Sequence, residues 1–185
     1  MKEESVSVKQ GKKALFYLIV QYQTDKIEAE RTIQMGNGNR GNTMIIKNGL
    51  VFTPEGKFEK KDFYIEGEYV AKETTDNKEV EAEGCYVIPG LVDIHFHGCV
   101  RHDMCDGTEE SIQALADYEA ANGVLAICPA TMTIPEEELF QAMNAAREHK
   151  NGKGADLVGI NMEGPFVNKE KKGAQKEEDI KLADS

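Results

Sequence analysis

Two imidazoles one residue apart, His95 and His97, close the run Leu91-Val-Asp-Ile-His-Phe-His97. In an extended strand alternate side chains share a face. Asp93, His95 and His97 then point one way, with Leu91, while Val92, Ile94 and Phe96 point the other. The apolar face suits packing under helices; the polar one needs a partner, since an unpaired buried polar group costs roughly 2–7 kcal/mol. A divalent ion is such a partner: imidazoles at i and i+2 can both reach one ion at about 2.0–2.1 Å. Asp93, one step deeper, can support a ligand by a hydrogen bond from behind. A bare His-x-His is weak evidence, but its place at a strand end before Gly98 strengthens it.

A second run repeats the logic. In Leu157-Val-Gly-Ile-Asn-Met-Glu163, Val158, Ile160 and Met162 share one side, and Gly159, Asn161 and Glu163 the other. Glu163 ends the run before Gly164-Pro165, where a barrel carries its functional groups, and is a candidate carboxylate ligand. Other residues stay closer to ordinary roles. Asp103 and Asp106 read as solvated loop carboxylates, and His102 and His149 as surface residues. Cys99 and Cys105 read as thiols rather than ligands, Lys171-Lys172 as a solvated pair, and Thr131 and Thr133 fit either a pocket lining or a strand end.

These side chains need a frame. Leu91–His97, Val124–Cys128 and Leu157–Met162 read as buried strands. A helix is expected from Thr108 to Asn122, with Glu109 and Glu110 in its first turn and Ile112, Leu115, Ala116 and Tyr118 on its apolar side. A second follows Pro135, with Glu136, Glu137 and Glu138 leading and Leu139, Phe140, Met143 and Ala146 inward, to about Lys150. Strand–helix–strand–helix–strand at this spacing is the sequence form of a parallel α/β sheet or barrel.

Upstream, Met44–Ile46, Leu50–Thr53, Asp62–Glu66 and Cys85–Ile88 are short β-type runs. Turns at Asn48-Gly49, Pro54-Glu55-Gly56 and Glu66-Gly67 separate them. Residues 44–88 thus read as a small antiparallel unit. Residues 1–43, ending in a Gly/Asn-rich stretch, read as a flexible extension that need not be native, with Met44 a candidate start.

The net charge of −11 divides into +2 over residues 1–43 and −13 over the rest. An acidic surface repels nucleic acid and anionic membranes. The apolar run Ala14–Val20 is far short of the roughly 20 residues of a membrane span and of a cleavable leader. Four cysteines without a CxxC pair fit reduced thiols in the cytoplasm.

Pro89-Gly-Leu-Val-Asp-Ile-His-Phe-His-Gly98 resembles the first-strand signature of the amidohydrolase superfamily. Asn161-Met-Glu-Gly-Pro-Phe166, with Lys171-Lys-Gly-Ala174, is similar to the more restrictive signature of N-acetylglucosamine-6-phosphate deacetylases, and Met44-Ile-Ile-Lys-Asn-Gly49 resembles that family's opening strand. The resemblance implies an α/β fold: a partial (β/α)8 barrel, its first three strand units in 89–185, preceded by a small β-sandwich segment in 44–88. It implies hydrolysis of the acetamide of N-acetylglucosamine 6-phosphate to glucosamine 6-phosphate and acetate. A divalent metal, zinc, would be held by His95, His97 and Glu163, with Asp93 behind. The proton-shuttling Asp and further histidines would come from later strands. The partner implied is a small amino-sugar phosphate, and the full-length family points to a homo-oligomer.

Two departures matter. Gln175 stands where the family often has a His that contacts the sugar, so that contact would be made by an amide. Arg101 and His102 occupy a loop where relatives commonly carry Gly. The expectation is a chain truncated before its site is complete and inactive alone. Another amidohydrolase, dihydroorotase-like or deaminase-like, and a non-catalytic half of a split protein are the alternatives.

Overall fold

The computed structural model describes residues 17–21, 43–66, 69–74 and 78–183. Its first layer is a six-stranded sheet built from β1 (Tyr17–Gln21), β2 (Met44–Phe52), β3 (Phe58–Glu66), β4 (Tyr69–Ala71), β5 (Glu79–Glu81) and β6 (Cys85–Pro89). The strands run β1-β6-β2-β3-β4, and β5 pairs with β2. The sheet is mixed, not antiparallel as expected: β2 pairs parallel with both β5 and β6 along one edge, and antiparallel with β3 along the other. Tyr17–Gln21, inside the expected extension, pairs antiparallel with β6; the rest of 1–43, apart from Thr43, lies outside the described residues.

Asn48-Gly49 is not a turn. β2 runs through it with a register shift against β3 between Ile46 and Gly49. Asn48 takes the left-handed region (φ 60), which Asn tolerates better than most residues. Its backbone N–H donates to Asp62 and its side-chain amide to Glu81. Gly49 is needed beside it, because a Cβ there would lie 2.6 Å from a Val87 methyl. Pro54-Glu55-Gly56 does form the hairpin turn, closed by Thr53 N–H to Lys57 O at 2.8 Å. Met44, Ile46, Val51, Phe63, Ile65, Ala82, Cys85 and Val87 form one core cluster on this sheet, so the unit buries a face of its own.

A second, three-stranded sheet follows, ordered β11-β10-β7. Its strands are β7 (Leu91–Asp93), β10 (Val124–Ile127) and β11 (Asp156–Leu157), all parallel. Between β7 and β10 a small hairpin pairs β8 (Gly98–Cys99) with β9 (His102–Asp103). The strands are shorter than the alternation suggested, but their pairing continues beyond them. Cys128 N–H donates to Asp93 O, Ala130 N–H to Phe96 O, and Asn161 N–H to Pro129 O. His95, His97 and Glu163 therefore sit on extended segments just past the regular strands.

Helix α1 (Glu109–Ala121) and helix α2 (Glu136–Glu148) fall close to their expected spans. The Thr108 side chain caps α1 by accepting from Ser111 N–H, which satisfies a donor the helix cannot. Ile112, Leu115, Ala116 and Ala120 bury against Ile127, Met104, Ala142 and Ala155 in the second core cluster. Tyr118, assigned to that side by its spacing, is largely exposed, as is Phe140 in α2. Of the apolar side of β7 only Phe96 packs on this core; Val92 and Ile94 are exposed, because β7 is an edge strand among the described residues. Val158 and Met162 are exposed too, while Ile160 packs on the core. No helix among the described residues is long and apolar enough to cross a membrane.

Candidate metal centre

His95 and His97 leave β7 on a segment fixed at both ends. The Asp93 carboxylate accepts the backbone N–H of His95 at 2.9 Å, and the His97 carbonyl accepts Met104 N–H at 2.9 Å. Asp93 thus supports a histidine through its backbone rather than its ring. Gly98 permits the next turn, since a Cβ there would run into the His102 carbonyl oxygen. The hairpin that follows is closed by Val100 (φ 46) and Arg101 (φ 69). Two positive φ values in succession are the signature of a tight type I′ hairpin.

Glu163 arrives from the segment after β11. Its backbone N–H donates to the Thr131 hydroxyl at 3.2 Å, and Thr131, fully buried, donates its own N–H to Asn161 O at 3.1 Å. Gly164 follows at φ 89, a value that disfavours any side chain, and a Cβ there would collide with the Thr133 hydroxyl. The loop after β10 therefore holds the carboxylate in place. The sequence left Thr131 undecided between pocket and strand end; its role shows only when the two loops are brought together.

The side chains converge. Glu163 Oε2 lies 3.3 Å from His97 Nε2 and 3.8 Å from His95 Nε2, and one ligand atom from each of the three residues lies within 4.8 Å of the others. Two donors at about 2.0–2.1 Å from one ion in tetrahedral geometry are about 3.3 Å apart, so the spacing suits a single ion. Two imidazoles and a carboxylate are also a donor set that zinc accepts. His97 Nδ1 is buried without a hydrogen-bond partner. The residues present fit a divalent cation, and all three are part-exposed, leaving the site open on one side.

Neighbouring residues take other work. Cys105 accepts Met132 N–H at 3.1 Å, and burial pushes its thiol up to about 11. Burial, with Glu119 adding, also raises the Cys99 thiol; neither sulfur joins the cluster. Burial first, and Asp93 second, raise the Glu119 carboxyl. Asp103 and Asp106 form a reciprocal cap on the short turn Met104–Asp106. His102, expected at the surface, is part-buried with Nδ1 3.1 Å from Ser111 Oγ, whose hydroxyl donates to Asp106. His149 is buried, not on the surface, with Nδ1 3.0 Å from Glu109. Gln175 is 3 % exposed, its side-chain oxygen accepting Thr133 N–H at 2.6 Å and its nitrogen facing Met132 Sδ. That seats it behind the loop after β10, with its side-chain amide turned to Thr133 and Met132. Lys172 turns back to the Gln175 carbonyl at 3.0 Å.

Parallel strands with helices between them, and nitrogen and oxygen donors gathered past the strands' carboxyl ends, define a β/α protein with a candidate metal centre. No protein-family model matches the chain. The N-acetylglucosamine-6-phosphate deacetylase of Bacillus subtilis is 32% identical over 146 residues, 76% of this chain and 35% of that protein. The N-acetylgalactosamine-6-phosphate deacetylase of Escherichia coli O157:H7 is 28% identical over 71% of this chain and 36% of its own. In three dimensions, the N-acetylglucosamine-6-phosphate deacetylase of Pasteurella multocida superposes with a TM-score of 0.68 at 19% identity, over 77% of this chain and 40% of that one; this likeness shows the fold. The chain is a relative of the N-acetylglucosamine-6-phosphate deacetylases over about three quarters of its residues, and spans about a third of the length of the curated relatives it matches.

Proposed function

We propose that this chain supplies part of a metal-dependent amidohydrolase that cleaves the acetamide of N-acetylglucosamine 6-phosphate, releasing glucosamine 6-phosphate and acetate. The observation that carries the reading is the meeting of His95, His97 and Glu163 from two separate strand ends. The three-stranded sheet corresponds, in this reading, to the opening part of a (β/α)8 barrel, and the six-stranded sheet to a β-sandwich segment beside it. The barrel reading places ligands past the carboxyl ends of strands.

A divalent cation, zinc by its donor set, would be held by His95, His97 and Glu163 and would supply Lewis-acid chemistry for amide hydrolysis by water. The chain's own residues hold the ion's ligands in place. Asp93 fixes the backbone of His95, and Thr131 fixes that of Glu163. A group to carry a proton to the departing amine is not assigned to any residue here, and deacetylation needs one. That the isolated chain is inactive belongs to this proposal, and among the described residues β7 is an edge of its sheet. The remaining expectations, a cytoplasmic protein and a homo-oligomer acting on a small amino-sugar phosphate, belong to this proposal.

The test is to co-express the chain with the complementary remainder of the Bacillus subtilis relative and follow acetate release. Turnover of N-acetylglucosamine 6-phosphate by the pair, lost with Glu163→Gln, is the expected result. Turnover by the chain alone, or a folded zinc-loaded pair without any, counts against the proposal. The name of the Escherichia coli relative favours including the galacto epimer as the second substrate.

A further inference from the structure

Asn161, two residues before Glu163, faces the segment that carries both histidines, and its amide nitrogen has two neighbours. It lies 3.3 Å from the Ile94 carbonyl oxygen and 2.8 Å from His95 Nδ1. A carbonyl oxygen only accepts, so the amide must turn its NH₂ toward Ile94; the reverse orientation would set two acceptors face to face. The same nitrogen then donates to His95 Nδ1, which must accept. A neutral imidazole carries one proton, and with Nδ1 accepting, that proton is on Nε2. Nε2 is the atom that faces Glu163 at 3.8 Å. Without an ion, His95 is therefore a donor pointed at the carboxylate and has no lone pair to offer a metal there.

We propose that Asn161 is a positioning residue that selects the His95 tautomer, and that its side-chain amide turns over when the centre takes up a cation. With the oxygen presented instead, Nδ1 becomes the donor and Nε2 is freed as a ligand. The ring's charge does not change; one proton leaves Nε2 and one is taken at Nδ1. The turn keeps a bond at Nδ1 but loses the one to Ile94 and sets the amide oxygen toward that carbonyl, a cost that cation binding at Nε2 has to exceed. His97 differs, since its Nδ1 has no hydrogen-bond partner and the group facing its ring nitrogens is the Glu163 carboxylate, 3.3 Å from Nε2. This rests on the metal-binding reading of the centre, but its first step concerns the metal-free protein alone.

The experiment is a long-range proton–nitrogen correlation of the histidine rings in the full, nitrogen-15-labelled chain, without metal and then with zinc chloride. His95→Gln identifies the His95 signals. The expected result is an unprotonated Nδ1 and a protonated Nε2 without zinc, exchanging roles when zinc is added. Asn161→Asp, which can only accept at that position, should show the Nδ1-protonated ring even before zinc. Should that variant fail to fold, Asn161→Leu should give averaged shifts of a ring with no tautomer preference. Wild type with Nδ1 protonated in the absence of zinc, or indistinguishable from the variants, overturns the proposal. So does zinc that binds without moving the proton. If zinc perturbs neither His95 nor His97, the metal reading fails, and the metal-free comparison still decides whether Asn161 sets the tautomer.

Discussion

Glu163 is joined to Thr131 through its backbone: the N–H of the candidate ligand donates to a hydroxyl that is itself fully buried, at 3.2 Å. Thr131→Val keeps the shape and removes the acceptor, leaving the Glu163 N–H unpaired. The expected cost is about 1–3 kcal/mol in urea unfolding. Because the carboxylate is positioned by that bond, zinc affinity should also fall about 10- to 100-fold. A variant that unfolds earlier but binds zinc as well as the parent would assign Thr131 to stability alone.

The centre itself is tested by its ligands. Glu163→Gln and His97→Ala each remove one donor from a set of three, and each should weaken zinc binding by more than about 100-fold, beyond what loss of a supporting hydrogen bond does. Competition against a chromophoric chelator reads this directly. His102→Ala, outside the cluster, is the control and should bind as the parent does.

Alternation along two apolar runs was enough to bring His95, His97 and Glu163 to one place, because the pleat puts every second residue on one face whatever the tertiary context. The strand spans were less legible. Regular pairing of the first run ends at Asp93, whose carboxylate takes the next available N–H, that of His95, and local bonding of this kind competes with a ladder. Asn48-Gly49 carried a turn signature, yet β2 continues past it, with Asn48 left-handed at the register shift and partners on both edges holding the strand. His149 looked like an exposed helix end because its carboxylate partner, Glu109, is remote in sequence. Tyr118 and Val92 show the reverse error: periodicity gives a side, and only a neighbouring element decides whether that side is covered.

His149 at the end of α2 and Glu109 at the start of α1 form a contact of 3.0 Å in which the imidazole is buried and the carboxylate is not. Glu109→Ala leaves Nδ1 as unpaired as the buried Nε2 already is, and also removes a negative charge from a helix start. Unfolding should come earlier by about 1–3 kcal/mol. Glu110→Ala, one residue along the same turn, lacks the histidine contact and should cost no more than about 1 kcal/mol.

Gly164 is the residue least able to change. At φ 89 any side chain is strained by about 1–3 kcal/mol, and a Cβ would also meet Thr133. Gly164→Ala should therefore displace the Glu163 carboxylate, weakening zinc binding while lowering the thermal midpoint. Gly152→Ala, where a Cβ meets nothing within 4 Å, should do neither.

Cys105 offers a test that needs no metal. Burial raises its thiol from 9.0 to about 11, against the smaller opposing effect of the Met132 N–H. Only the thiolate alkylates, so near pH 8 it should react with iodoacetamide about 100-fold more slowly than a free cysteine in an unfolded peptide. An acid whose pKa is raised by folding stabilises the fold fully below its unfolded value and loses that contribution as pH rises through the folded one. The protein should accordingly lose stability between about pH 9 and pH 11. Cys105→Ala should flatten this decline while costing stability at neutral pH, because Met132 N–H loses its acceptor. Peptide mapping of the alkylated protein and urea midpoints across that range give both readings; rapid labelling of Cys105 in the folded chain would show that its environment is wetter than the packing around Met132 requires.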